Sequence, residues 1–141
     1  MPLRLEIVTP ERQAYADDVD AVVCPGTEGE IGVLPHHAPL LSTLGLGELR
    51  IRKGGHEEYF AIAGGFVQVL PDKVVVMAET ADMASEIDLE KAEEARKEAE
   101  RALDSGYQEG ADLAAARAQL QTALLRIRLA ERRHREGRRR I

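Results

Sequence analysis

The chain has 141 residues, 44% of them hydrophobic and 31% charged, with a formal net charge of −6 at pH 7. This composition supports an ordinary packed core and excludes global disorder, and the length fits one domain or one small domain with an appendage. Its densest apolar stretch, residues 74–78, is strand-sized, well short of the roughly 18 residues a membrane helix needs.

The chain opens Met1-Pro2-Leu3-Arg4-Leu5-Glu6, with an early acid and no apolar run of the signal-peptide kind, so a soluble, cytosolic protein is expected. Residues 3–8 alternate apolar and polar until Thr9-Pro10 interrupts, which predicts a strand. Further strands are predicted at 21–24, 48–52, 59–63, 66–70 and 73–77. Pro25-Gly26, Lys53-Gly54-Gly55, Gly64-Gly65 and Pro71-Asp72 read as the turns between them. In 48–52, Leu49 and Ile51 point one way and Glu48, Arg50 and Arg52 the other, as in a strand covered on one face. Residues 26–41 read as a stiff, strand-poor loop carrying Glu28, Glu30, His36 and His37 outward. Cys24, the single cysteine, excludes an internal disulfide and reads as a buried, inert thiol.

Beyond residue 84 the rules change. Nine of the twelve glycines and all six prolines lie before that point. Leu89, Ala92, Ala95, Ala99 and Leu103 then step by three or four, as do Leu113, Ala116, Leu120, Leu124, Ile127 and Ala130. Helices are predicted from 88 to 103 and from 112 to about 135, with Asp88 and Asp112 as N-caps and the break in 104–110. The fold class is therefore an all-β N-terminal sandwich, residues 1–84, followed by an antiparallel α-helical hairpin, residues 85–141. Such a hairpin buries little area by itself and must lean on the sandwich, a nucleotide or a partner.

Charge divides along the same line. Residues 1–84 hold six Lys/Arg and thirteen Asp/Glu, a net of −7, whereas residues 126–141 carry eight arginines against Glu131 and Glu136. In helical projection Arg128, Arg132, Arg135 and Arg139 form a ridge suited to an acidic partner, against the alternative of a frayed basic tail. A stand-alone adaptor using this helix on acidic protein or nucleic acid is one reading, although no aromatic platform accompanies it. Glu28, Glu30, His36 and His37 could be considered for a metal, but adjacent histidines rarely aim at one ion in extended backbone, so a surface loop is favoured. No Ser/His/Asp constellation, P-loop or GxGxxG pattern occurs.

Two segments carry a specific resemblance. Gly29-Glu30-Ile31-Gly32-Val33-Leu34-Pro35 with His37-Ala38-Pro39-Leu40, and Ala63-Gly64-Gly65-Phe66-Val67-Gln68-Val69 with Pro71-Asp72-Lys73-Val74, resemble the hallmarks of epsilon subunits of F-type ATP synthases. The opening Val8-Thr9-Pro10-Glu11-Arg12 and the alanine-rich hairpin are similar too. The resemblance implies a non-catalytic rotor subunit of the central stalk, peripheral on the cytoplasmic face of the cell membrane. It implies a sandwich that binds the gamma subunit and sits on the c-ring, and a hairpin that folds down or extends among the alpha and beta subunits to restrain ATP hydrolysis.

By motif position it places Glu28, Gly29, Glu30 and His37 at the c-ring, and the ridge Arg128, Arg132, Arg135 and Arg139 against acidic segments of the beta subunits. It implies no required cofactor, metal or nucleic acid, with ATP as a regulatory ligand. The nucleotide set would be Ile87, Asp88, Lys91, Ala92, Arg126 and Asp82. Four positions depart from that motif: Asp82 stands for a glutamate, Lys91 for an arginine, Thr122 for a basic residue, and Glu98 for a further arginine. Lysine meets phosphate as a point charge and cannot fork bidentately, and Glu98 would repel it.

Overall fold

The computed structural model describes residues 3–105 and 110–139, the side chains of residue 111 and of 134–139 excepted. The chain divides into two units between Met83 and Ala84.

The first unit holds eight strands: β1 (Leu3–Val8), β2 (Gln13–Val19), β3 (Ala21–Gly26), β4 (Gly29–Val33), β5 (Leu40–Leu44), β6 (Gly47–Lys53), β7 (His56–Val69) and β8 (Lys73–Met83). Their order is β2-β1-β8-β7-β5-β3-β4, with β6 bonded to both β3 and β7. This second connection through β6 folds the sheet back over itself into a sandwich. β1 runs parallel to β8; the other pairs are antiparallel.

Period-two patterning explains most of this. Leu3, Leu5 and Ile7 of β1 are wholly buried, as are Leu49 and Ile51 of β6, and they meet Phe60, Ile62, Val67, Val69, Val74 and Val76 in one core. Glu48, Arg50 and Arg52 face away, as the alternation predicts. Between β6 and β7, Gly54 and Gly55 take φ of 57° and 80°, the two positive values a twist-matched hairpin turn demands.

The structure corrects several expectations. Gly64-Gly65 is not a turn: β7 runs straight through it, pairing with β6 over residues 56–62 and with β5 over 65–69. The glycines mark the change of partner, with β8 beside the strand from Phe60 to Val69. Residues 26–41 are not a loop either, since β4 and the start of β5 lie inside that segment. β2, not predicted at all, is a polar edge strand held by β1.

In the second unit a short 3-10 turn, Ala84–Glu86, leads to α1 (Leu89–Asp104) and α2 (Ala111–Arg139), which form the hairpin. Asp88 caps α1: its carboxylate accepts the Lys91 amide at 3.2 Å. Asp112 does not cap α2, because the Ala114 amide already bonds the Gly110 carbonyl at 3.1 Å; Asp112 instead sits in the first turn, where its charge suits the helix dipole. Glu93 pairs with Arg96, which also reaches Glu100 at 3.0 Å.

Candidate functional site

Three surfaces bring the predicted residues together or separate them. The first is the turn between β3 and β4, Thr27-Glu28, where Gly26 faces Gly29. Glu28 is exposed at its apex, and no ion pair to it is present among the described residues. Glu30, two residues on, accepts Arg50 Nη2 of β6 at 2.8 Å. Both side chains are substantially exposed, so this pair stabilises by at most about 1 kcal/mol. The turn is tied to β5: the Thr27 amide donates to the Thr43 carbonyl at 3.2 Å, and the two hydroxyls share a bond of 2.6 Å.

His37 is not part of this group. It lies in the connection between β4 and β5, where the His36 amide donates to the Pro71 carbonyl at 2.9 Å and the His37 ring approaches the Ala38 carbonyl at 2.7 Å. Glu28, Gly29 and Glu30 share the β3–β4 turn, and His37 lies in the separate β4–β5 connection beside the Pro71 turn.

The second surface was not anticipated. Across the outer face of β5, β7, β8 and β1, Thr43 faces Phe66, Phe66 faces Met77 and Met77 faces Val8. Leu41, Phe66 and Met77 are 68%, 51% and 42% exposed, while Val67 and Val76 beside them are wholly buried. A sheet face that could have been polar is apolar instead, the usual mark of a binding surface. Where this face meets the acidic turn, Thr27, Glu28, Leu41, Ser42, Thr43 and Phe66 line an open notch of about 380 Å³. The sequence held one signal: Phe66 shares its strand face with Gln68, opposite the buried Val67 and Val69.

The third surface is the hairpin. Ala92 and Ala99 of α1 and Ala116 and Ala123 of α2 form a buried alanine seam, Leu125 and Leu129 of α2 are buried as well, and counting from the connection sets Ala99 level with Ala116 and Ala92 with Ala123. Arg126 is then level with the first turn of α1, and it is half-buried. Ile87 is half-buried, Lys91 exposed and Ala92 buried; Thr122 returns its hydroxyl to the Ala118 carbonyl at 2.9 Å. Asp82 faces Ala61 from β8, in the sandwich unit, so the six residues of the nucleotide set are divided between the two units. α2 outruns α1 and carries Arg128, exposed, and Arg132, half-buried, on its continuation. Arg135 and Arg139 fall on the same helix within about 60° of them by projection; their side chains lie outside the described residues.

Residues 2–84 match the family described as ATP synthase, Delta/Epsilon chain, beta-sandwich domain, and residues 85–131 match its long alpha-helix domain. Over 131 residues the chain is 46% identical to the ATP synthase epsilon chain of Dehalococcoides mccartyi, covering 93% of this chain and 94% of that one. It is 48% identical over 129 residues to the ATP synthase epsilon chain of Syntrophobacter fumaroxidans, covering 92% and 96%. The chain belongs to the ATP synthase delta/epsilon family. A solved relative agrees: a chain of the Euglena gracilis mitochondrial ATP synthase OSCP/F1/c-ring assembly superposes with a TM-score of 0.71 at 27% identity, covering 85% of this chain and 76% of that one. As an epsilon subunit of an F-type ATP synthase it is a non-catalytic part of the complex.

Two further observations bear on chemistry in this family member. Among the described residues no group of three His, Cys, Asp or Glu side chains is placed to hold a metal ion, and no described helix is long and apolar enough to cross a membrane. Cys24 is wholly buried, and burial pushes its thiol up to about 12. It should therefore stay unmodified by a thiol reagent at pH 8 in the native protein and react within the mixing time in denaturant. Fast native labelling would place the thiol at the surface and contradict the packing of β3.

Proposed function

We propose that this subunit joins gamma to the c-ring through its sandwich and regulates ATP hydrolysis through its hairpin. The observation that carries the first half is the apolar outer face of Leu41, Phe66 and Met77, which a partner must cover. Gamma is the partner assigned to it. Gly29, Glu30 and His37 are assigned to the polar loops of the c-ring, and Glu28, at the apex of the β3–β4 turn, to the boundary between ring and gamma. The subunit then sits peripherally on the cytoplasmic side of the membrane, with the alpha and beta subunits of the catalytic head above it.

The ridge Arg128, Arg132, Arg135 and Arg139 supports the second half. In an extended hairpin it meets acidic segments of the beta subunits; in a folded one it does not. A ligand shifts such an equilibrium only by its differential affinity for the two forms. ATP is the regulatory ligand we assign, held by Ile87, Asp88, Lys91, Ala92 and Arg126 and favouring the folded form; Asp82 belongs to the sandwich unit and is left out of this set.

Binding to a head complex of alpha, beta and gamma tests the docking face. Phe66→Asp should weaken it at least about 100-fold, because a charge would be buried in an apolar contact; unchanged affinity would overturn the assignment. Calorimetry tests the ligand. Asp88→Ala removes a cap, lowering hairpin stability by about 1 kcal/mol, whereas Asp88→Asn keeps the cap and drops the charge. ATP binding that survives Asn but not Ala needs only the cap; loss in both makes the carboxylate a ligand; no binding by the unsubstituted chain at millimolar ATP ends the nucleotide reading.

A further inference from the structure

The notch at the junction of the acidic turn and the apolar face combines features that neither surface has alone. Its floor is apolar, from Leu41 and the exposed ring of Phe66; its rim carries the Thr27 and Thr43 hydroxyls; and the Glu28 carboxylate stands at one side. A purely aliphatic side chain would strand that carboxylate without a partner, while a short polar one would leave Leu41 and Phe66 uncovered. A long side chain with a cationic head satisfies both. Its methylene stem lies along Leu41, its head reaches Glu28 and the hydroxyls, and the face of Phe66 adds a cation–π contact.

We infer that the notch receives one lysine or arginine side chain of the gamma subunit, fixing the register of gamma on the sandwich. The inference rests on the assignment of the apolar face to gamma. Gamma, rather than the c-ring, is the source because the notch opens on that same face: Thr43, Phe66 and Met77 form one row across β5, β7 and β8, and the notch is the end of that row. Charge agrees, since the sandwich half of the chain is strongly acidic. Glu30 is not the anchor, because Arg50 already holds it at 2.8 Å.

The test is the affinity of the full chain for a head complex of alpha, beta and gamma with no c-ring, measured from low to high salt. Glu28→Gln should weaken binding about tenfold at low salt and flatten the salt dependence, the loss of one charge-assisted contact. Thr43→Val, similar in shape, should weaken it severalfold, and Phe66→Leu should weaken binding further in the unsubstituted background than in Glu28→Gln, since the two side chains hold one head. Glu30→Gln, two residues away, should change affinity less than about twofold. If Glu28→Gln and Glu30→Gln behave alike, the turn acts only through its net charge and the notch is overturned. If Glu28→Gln leaves head affinity unchanged but weakens attachment to a complex containing the c-ring, the cation comes from the ring and the assignment to gamma is wrong. Failure of the unsubstituted chain to bind gamma at all would instead defeat the docking-face reading on which this one stands.

Discussion

Replacing Gly65 with alanine should destabilise the sandwich by at least about 4 kcal/mol, lowering its melting temperature by roughly 20 °C or keeping it from accumulating. Gly65 has φ of 125°, and a Cβ there would lie 2.0 Å from the Met77 carbonyl oxygen and 2.9 Å from the Ala78 Cα. Those neighbours are backbone of β8, held in register on both sides by β1 and β7, so they have nowhere to move. The strain and the clash also fall where β7 changes partner from β6 to β5, so relief would tear the core between Ile62 and Val67. Two controls separate this from a general loss of glycine. Gly64→Ala, at φ of 62° with only the Glu79 carboxyl at 3.4 Å, should cost about 1 kcal/mol. Gly32→Ala, with nothing within 4 Å, should be near neutral. Urea denaturation followed by circular dichroism gives the ranking, and a Gly65→Ala protein as stable as Gly64→Ala would contradict the continuity of β7.

Ending the chain after Ile127 should abolish inhibition of ATP hydrolysis while leaving the subunit bound to its complex. The cut removes the part of α2 that continues past α1, and with it Arg128, Arg132, Arg135 and Arg139. It spares the seam of Ala92, Ala99, Ala116 and Ala123 but also removes the buried Leu129, so the substitutions below serve as the control for lost packing. The sandwich is a separate unit and keeps its core. If the inhibitory form holds nine complexes in ten, hydrolysis rises about tenfold. Hydrolysis unchanged by this cut, in a complex still containing the subunit, would remove the regulatory role from the ridge. A charge-reversed ridge, Arg128→Glu with Arg132→Glu, should reproduce the activation without shortening the helix.

The elements legible in the sequence are those whose own periodicity decides them. Leu3, Leu5 and Ile7 announce β1, and the alanines and leucines at three- and four-residue steps announce both helices. The elements that escaped are decided by pairing. β2 has Gln13, Asp17 and Asp18 among its seven residues and exists because β1 offers it an edge. β4 has two glycines in five residues, and its Gly-Glu-Ile-Gly-Val composition reads as loop until β3 is beside it.

The same blind spot governed the site. Glu28 and His37 are nine positions apart, which suggests one loop; β4 lies between them and puts them in different connections. Phe66 and Met77 are eleven positions apart in different strands, and only the β7–β8 register makes them neighbours. Asp88 could be read correctly because a cap acts on the amide three residues ahead, a distance the sequence itself sets.

A cryo-EM map of the assembled enzyme containing this subunit tests the central claim most directly, because it shows what covers each end and face of the sandwich. The account predicts gamma over Leu41, Phe66 and Met77 and the Thr27-Glu28 turn at the boundary with the c-ring. A map in which those three side chains face solvent, or in which that turn lies away from the ring, would contradict it.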